Sequence, residues 1–318
     1  MKNILVTGGR GFIGFNAINL WRKMYPDYQF VEIDNDTYAD RFLEDEKNKF
    51  LDDNDVPRFV LDLGADDAVR SLIDMIETFQ IDTIIHFGCE SHVDNSLTGP
   101  EVFFNSNVMG TVNILESVRK TGVKLLQVST DEVYGISYPE TEITPESILD
   151  PSSPYSSSKA SADLITLSYA KSFGIDATIT RCCNNFGFWQ HSEKLIPTII
   201  RKLEHKEMIP VYGDGKQYRQ WIHVDDHNIA IMDVLHNKPT GNVVHFSSNR
   251  FGYMRNIDLI SIFADIYGRK LDDVVEYVKD RPAHDTSYYL THYTSLDYGE
   301  SHIRDMLVKT CDSYRNIF

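Results

Sequence analysis

The chain has 318 residues, with 31 Lys and Arg against 47 Asp and Glu, a formal charge of −16 at pH 7. That balance argues against a DNA or RNA partner, whose phosphates need clustered cations, yet leaves room for a small phosphorylated ligand held by a few local donors. At 42% apolar and 12% aromatic residues the chain has ample core material, and its length suits one large α/β unit or two domains.

Short apolar runs alternate with helix-period segments through the first 180 residues. The predicted strands are Asn3–Thr7, Gln29–Ile33, Arg58–Val60, Thr83–Phe87, Leu125–Ser129 and Ala177–Thr180. Helices are expected near 12–24, 66–79, 101–121 and 156–173. This βαβα rhythm predicts an α/β fold with a doubly wound parallel sheet. Residues 32–67 carry 13 acidic and 4 basic side chains, read as a solvated face. After residue 181 the rhythm breaks into Pro- and Gly-containing stretches at 184–198, 210–222 and 279–288, with a strand at Val243–Phe246 and a helix near 256–268. A Rossmann-like unit over 1–181 is expected, with returning segments near 220–248. A smaller, partly interleaved substrate lobe would occupy 182–318.

Cys89, Cys182, Cys183 and Cys311 form no disulfide framework and have no metal-ligand spacing, so no metal is expected. No apolar run approaches the ~18 residues of a membrane span. Met1-Lys2-Asn3 leads straight into the first strand without a signal peptide. A cytoplasmic protein with no membrane partner is the expectation.

Thr7-Gly8-Gly9-Arg10-Gly11-Phe12-Ile13-Gly14 joins the first strand to the first helix. Glycine at 8, 11 and 14 permits a tight turn, and the helix start offers backbone N–H groups to a pyrophosphate. Asp34 ends the next strand, 20 residues after Gly14. A carboxylate there bonds a ribose 2′-hydroxyl and repels a 2′-phosphate, which favours NAD over NADP. Asp62 and Leu63 are candidates for the adenine edge; a helix N-cap is the other reading of Asp62.

Tyr155-Ser156-Ser157-Ser158-Lys159 puts a phenol and an ammonium on one helix face. The ammonium is expected to lower the phenol's pKa, so that Tyr155 takes a sugar hydroxyl proton as hydride leaves for NAD.

The glycine motif, Asn107-Val108-Met109-Gly110-Thr111 and the YxxxK resemble, in order, the extended short-chain dehydrogenase/reductase superfamily. Ser129-Thr130-Asp131-Glu132-Val133-Tyr134-Gly135 narrows the resemblance to nucleoside-diphosphate-glucose 4,6-dehydratases. It continues through Glu90–Asp94, Arg181–Gly187, Glu193–Pro197, Arg219–His227 and Asp280–Asp285, about 285 of 318 residues.

The resemblance implies that Thr130 and Tyr155 handle the sugar 4-hydroxyl, with Lys159 beside them. Glu132 would then remove the C5 proton, and Asp131 would protonate the departing 6-hydroxyl. It implies a tightly held NAD, recycled in each turnover. Arg219, with Asn185, Lys194 and Arg281, would meet the pyrophosphate; His92 would approach the glucose ring; Tyr212 would flank the base. The run His92-Val93-Asp94-Asn95-Ser96 resembles plant-type UDP-glucose enzymes, whereas Arg181-Cys182-Cys183 resembles the dTDP type. The base preference therefore stays open, with a lean to UDP. A 4-epimerase or decarboxylase on a nucleotide-sugar is the alternative. Apolar stripes on the helices near 101–121 and 156–173 predict a homodimer.

Overall fold

β1 (Asn3–Thr7) is a continuous apolar run in which Ile4, Leu5 and Val6 are fully buried. Strands covered on both faces read this way, without alternation. In the computed structural model, which describes residues 2–37, 42–135, 141–237, 243–248, 250–280, 287–291, 299–315 and 317–318, that strand lies inside a parallel sheet.

The first half continues with α1 (Phe12–Met24), β2 (Gln29–Asp34), α2 (Glu44–Asp53), β3 (Arg58–Val60), α3 (Ala68–Thr78) and β4 (Thr83–His86). Then come α4 (Val93–Thr98), α5 (Pro100–Phe103), a π-helical turn (Phe104–Met109), α6 (Gly110–Thr121) and β5 (Lys124–Thr130). A 3₁₀ turn (Asp131–Tyr134), α7 (Pro154–Phe173) and β6 (Ala177–Cys182) complete it. The second half holds β7 (Asn184–Phe186), α8 (Leu195–Glu204), β8 (Ile209–Tyr212), β9 (Tyr218–His223), α9 (Val224–Asn237) and β10 (Val243–Phe246). It closes with β11 (Tyr253–Arg255), α10 (Asn256–Ile266), β12 (Val275–Val278) and α11 (Glu300–Tyr314).

Seven parallel strands run in the order β10-β6-β5-β4-β1-β2-β3. This is the doubly wound Rossmann order with one extra strand, β10, beside β6. The direction of winding reverses between β1 and β4, which opens a crevice at the carboxyl ends of those strands. One side of the sheet is filled by α1 and α9, with Phe15, Ile18, Trp21 and Ile231 buried. The other is filled by α3 and α6, with Leu72, Ile76, Ile114 and Leu115. Each such side chain contributes about 1.5–3 kcal/mol by leaving water. A three-stranded sheet, β11-β9-β7, and a two-stranded one, β12-β8, build the smaller lobe.

Several boundaries differ from expectation. The single helix expected over 101–121 is broken by the π-helical turn, which directs Asn107 inward. The acidic segment is not uniformly solvated: it contains α2, and Glu32, Asp34 and Lys47 are buried. The stretch 184–198 contains β7 and the start of α8, whose Ile196, Ile199, Ile200 and Leu203 form a buried helical stripe. Among the described residues no helix is long and apolar enough to cross a membrane.

Candidate active site

A cavity of about 340 Å³ occupies the crevice between β1 and β4 and extends past the end of β5. Gly8, Gly11, Phe12, Ile13 and Gly14 line one end. Gly8 has φ of +66°, and a Cβ there would come within 2.7 Å of the Gly88 nitrogen. A Cβ on Gly14 would collide with the Gly8 carbonyl oxygen. Bare backbone is therefore what lets strand, loop and helix meet. Gly11 caps α1 with no side-chain hydrogen bond, and the first turn has no acidic residue. The N–H groups of that turn remain available to an anion.

Asp34 sits at the same end, its Oδ2 accepting the Arg10 backbone N–H at 3.0 Å and its Oδ1 that of Asn35 at 2.8 Å. Behind it, the Arg10 guanidinium pairs with Glu32 at 3.4 Å and with Asp36. Burial raises the Glu32 carboxyl to about 8, although Arg10 pulls the other way. Buried Lys47 donates to the Arg10 carbonyl at 2.7 Å and so ties α2 to the glycine loop. Asp62 and Leu63 line the wall beyond β3; Asp62 accepts the Gly64 N–H at 2.9 Å in a local turn. The glycine cradle, the free helix start and a carboxylate at the end of β2 fit NAD.

Thr130, Asp131, Glu132, Tyr155 and Lys159 line the other end. β5 delivers Thr130 to its carboxyl end, and the chain turns there into the 3₁₀ turn that carries both acids. Thr130 caps that turn, its hydroxyl accepting the Glu132 N–H at 3.2 Å. The same hydroxyl lies 3.1 Å from Asp131 Oδ1. Asp131 Oδ2 is buried without a hydrogen-bond partner among the described residues. Burial first, and then the nearby Glu132 charge, push Asp131 up to about 7; Thr130 and Arg219 oppose this. Glu132 is only partly buried.

α7 starts at Pro154 behind a Ser153–Ser156 capping box, which fixes its first turn and hence Tyr155. Lys159 is buried and donates to the Val128 carbonyl at 2.8 Å. The Tyr155 phenol is not lowered as expected. Burial holds it well above the ordinary tyrosine value, with Cys89, Glu132 and Cys182 adding to the effect and a Thr130 hydrogen bond opposing it. Asn107 Nδ2 bonds Ser158 Oγ at 2.8 Å, tying the π-helical turn to α7 beside these groups.

The expected sugar- and nucleotide-contact residues are dispersed. Asn185 and Lys194 line the cavity. The Asn185 amide is engaged internally, donating to the Cys183 carbonyl at 3.1 Å and lying 2.9 Å from His227 Nδ1. Lys194 Nζ lies 3.7 Å from Glu193. His92 stands outside the lining; its ring caps α4, accepting the Asn95 N–H at 3.3 Å, and lies 3.6 Å from Glu193. Arg219 is also outside the lining, its charge felt by Asp131 and its guanidinium carbon 4.9 Å from the Tyr288 ring centroid. Tyr212 is about half exposed at the end of β8, outside the cavity lining. Arg281 lies outside the described residues. The lining adds Cys89, Glu90, His191 and Trp221, which motif reading did not select as site residues. Their signal is position alone: the first two follow β4, as the glycine loop follows β1.

A second tier lies behind the cavity. Arg181 Nε donates to Asp163 Oδ2 at 2.8 Å, and its Nη1 donates to the Tyr134 hydroxyl at 2.5 Å. That hydroxyl is 2.6 Å from His245 Nε2, and His245 Nδ1 is 2.9 Å from the Thr291 hydroxyl.

The sequence pattern of the NAD dependent epimerase/dehydratase family matches residues 4–247. The chain belongs to this family. Within it, a dTDP-glucose 4,6-dehydratase of Mycobacterium tuberculosis (strain ATCC 25618 / H37Rv) is 38% identical over 324 residues, covering 98% of this chain and 93% of that protein. Among solved family structures, the dTDP-glucose 4,6-dehydratase of Bacillus anthracis str. Ames in complex with NAD superposes with a TM-score of 0.89 at 34% identity, covering 99% and 97% of the two chains. DesIV of Streptomyces venezuelae, a dTDP-glucose 4,6-dehydratase solved with NAD bound, gives 0.88 at 35% identity over the same shares.

Proposed function

We propose that this chain is an NAD-dependent nucleoside-diphosphate-glucose 4,6-dehydratase, a hydro-lyase, with dTDP-glucose as its substrate. The observation that carries the reading is Asp131, a buried carboxyl pushed up to about 7 beside a more open Glu132. Two adjacent acids in unlike surroundings can serve as one proton donor and one proton acceptor. The dTDP-glucose 4,6-dehydratases at 33–38% identity support the thymidine nucleotide over uridine.

NAD, when bound, supplies a hydride acceptor for C4 and returns the same hydride to C6. Gly8, Gly11, Phe12, Ile13 and Gly14 hold its pyrophosphate, Asp34 its ribose, and Asp62 and Leu63 its adenine edge. Tyr155 is assigned to take the 4-hydroxyl proton, for which the positive charge of Lys159 and of bound NAD must offset the burial that holds its phenol high, while Thr130 bonds that oxygen and the ketone it becomes. Lys159, fixed by the Val128 carbonyl, supplies positive charge under the phenol. The ketone acidifies C5–H, and Glu132 accepts that proton. The C6–O bond breaks as Asp131 gives its proton to the leaving hydroxyl, and water departs. A proton returns from Glu132 to C5 as hydride reaches C6, leaving a 4-keto-6-deoxy sugar, a precursor of deoxysugars such as rhamnose. General acid–base help of this kind is worth about 10²–10⁴ in rate per group.

A 4-epimerase returns hydride to C4 and has no use for a C5 base, so Asp131 and Glu132 weigh against that reading. For the nucleotide, Asn185, Lys194, Arg219 and Arg281 are assigned to the pyrophosphate, His92 to the sugar rim and Tyr212 to the base. This assigns residues 1–181 and the segments near 220–248 to the NAD-binding unit, and the rest of 182–318 to the substrate lobe. A homodimer in the cytoplasm completes the proposal. Its face is the exposed apolar set Leu97, Val102, Phe104 and Met109 beside α5, with Leu164 and Phe173 on α7. Light scattering at micromolar concentration should give twice the chain mass; a monomer refutes that part.

The test of the reaction is separate incubation with dTDP-glucose and UDP-glucose, followed by mass spectrometry. Loss of one water from dTDP-glucose supports the proposal. Faster loss from UDP-glucose reverses the nucleotide, and an isomer of unchanged mass supports an epimerase.

A further inference from the structure

We infer that Arg181 is a positioning residue, whose guanidinium spaces the turn carrying Asp131 and Glu132 against the helix carrying Tyr155 and Lys159. The inference rests on the dehydratase reading above. That reaction has two halves performed by two sets of residues. C4 oxidation is served by Tyr155 and Lys159 on α7 with Thr130 at the end of β5, and elimination by Asp131 and Glu132 on the 3₁₀ turn. Both sets must address one hexose ring, so their separation matters as much as their chemistry. A displacement of about 1 Å can cost about 10²-fold in rate.

Arg181 is built to fix that separation. It lies on β6 directly across from Ser129, which immediately precedes Thr130. It is 2% exposed and lines no part of the cavity, so it touches neither substrate nor cofactor. One arm of its planar fork grips α7 through Asp163, one helical turn beyond Lys159. The other grips the 3₁₀ turn through Tyr134, its last residue. The guanidinium carbon also lies 4.9 Å from the Tyr134 ring centroid. A guanidinium can hold two such partners in one plane; an ammonium cannot reproduce that geometry.

The clamp continues in a fixed hydrogen-bond direction. Burial lowers His245 to about 3, so its ring is neutral at any working pH. The Tyr134 oxygen accepts from Arg181, which leaves the phenol proton for His245 Nε2. His245 Nδ1–H then donates to Thr291. The turn is thereby braced on its far side by β10 and by the segment 287–291. Asp163 faces both cations, since Arg181 and, more weakly, Lys159 oppose the effect of its burial. The carboxylate that anchors the clamp is thus electrostatically linked to the oxidation pair.

Tyr134→Phe cuts one arm and leaves the Asp163 pair whole. Arg181→Lys keeps a positive charge but not the fork. The measurement is a stopped-flow single turnover with dTDP-glucose, following reduced-nicotinamide absorbance and product formation, alongside thermal unfolding midpoints. In Tyr134→Phe the rise of reduced cofactor should stay within about two-fold of the parent while its decay slows about ten-fold or more. Reduced cofactor therefore accumulates. Arg181→Lys should shift the ratio of the two rates in the same direction. Equal slowing of both phases, or a lowered midpoint with the ratio unchanged, overturns the inference and leaves Arg181 a structural residue. A parent enzyme that does not dehydrate dTDP-glucose fails the underlying reading instead, and the inference with it.

Discussion

Replacing Asp131 with Asn should raise stability and remove dehydration together, because the burial that makes Asp131 an acid also makes it costly to ionise. Its carboxyl is held from 3.8 up to about 7, by burial first and by Glu132 second. The folded state then binds this proton more tightly than the unfolded chain does. Stability is lost as pH rises from the unfolded value through the folded one, and the full penalty stands above about 7. That penalty is roughly 4 kcal/mol as an upper estimate. Asn cannot ionise, so it escapes the penalty, less about 1–3 kcal/mol if its buried amide finds no partner. The pH dependence isolates the effect, since the amide term is the same at both ends. The stability difference between variant and parent should move in the variant's favour by roughly 4 kcal/mol between about pH 4 and pH 8. Urea unfolding by circular dichroism at the two pH values reads this directly. Turnover of the variant should fall about 10²–10⁴-fold. In the parent, the elimination step should weaken as pH rises through about 7, as Asp131 loses its proton. A pH-independent stability difference, or an Asn variant with parental turnover, would refute the assignment of Asp131 as the acid.

Glu132→Gln should abolish exchange of the C5 hydrogen with solvent while C4 oxidation persists, seen as reduced cofactor that forms and does not decay; unimpaired exchange would remove Glu132 as the base. Gly14→Ala drives a Cβ into the Gly8 carbonyl oxygen, a backbone atom that cannot swing aside. It should cost about 1–3 kcal/mol of stability and strip the purified protein of NAD, measured by the absorbance of cofactor released on denaturation. Asp34→Asn should weaken NAD about ten-fold, the worth of one charged hydrogen bond, and narrow the preference over NADP; calorimetric titration with both cofactors checks this.

Much of the large sheet was readable because its inner strands are covered on both faces, whereas β3 at the edge is largely exposed and was marked by its apolar residues alone. β1 and β3 have the predicted limits, and β2, β5 and β6 run on by one or two residues to bring Asp34, Thr130 and Cys182 to the sheet edge. The second half hid its order behind polar residues that pair internally. Gln220 on β9 donates to the Ser248 and Leu290 carbonyls and accepts the Leu290 N–H at 2.6 Å, so a buried strand reads as a polar loop. α8 carries Pro197 in its first turn, where proline is tolerated although it reads as a helix breaker. The π-helical turn has no period to recognise, since it is a local insertion into a helix.

The site divides in the same way. The glycine loop, the Thr130–Glu132 run and the Tyr155–Lys159 pair are contiguous in sequence, and one strand end or helix start presents each whole. Cys89, Glu90 and His191 reach the cavity from loops, where residue type gives no warning. The raised Tyr155 phenol was hidden for another reason: spacing shows that Lys159 shares its helix face, but not that burial dominates or that the ammonium is engaged by Val128.

In the proposed reaction one hydride leaves C4 and returns to C6 of the same sugar. Incubation with dTDP-glucose carrying deuterium at C4, followed by NMR of the product, tests it most directly. The expected product is a 4-keto-6-deoxy sugar with the deuterium on its new C6 methyl group. Deuterium retained at C4 of an intact hexose, with the 4-hydroxyl inverted, would contradict it.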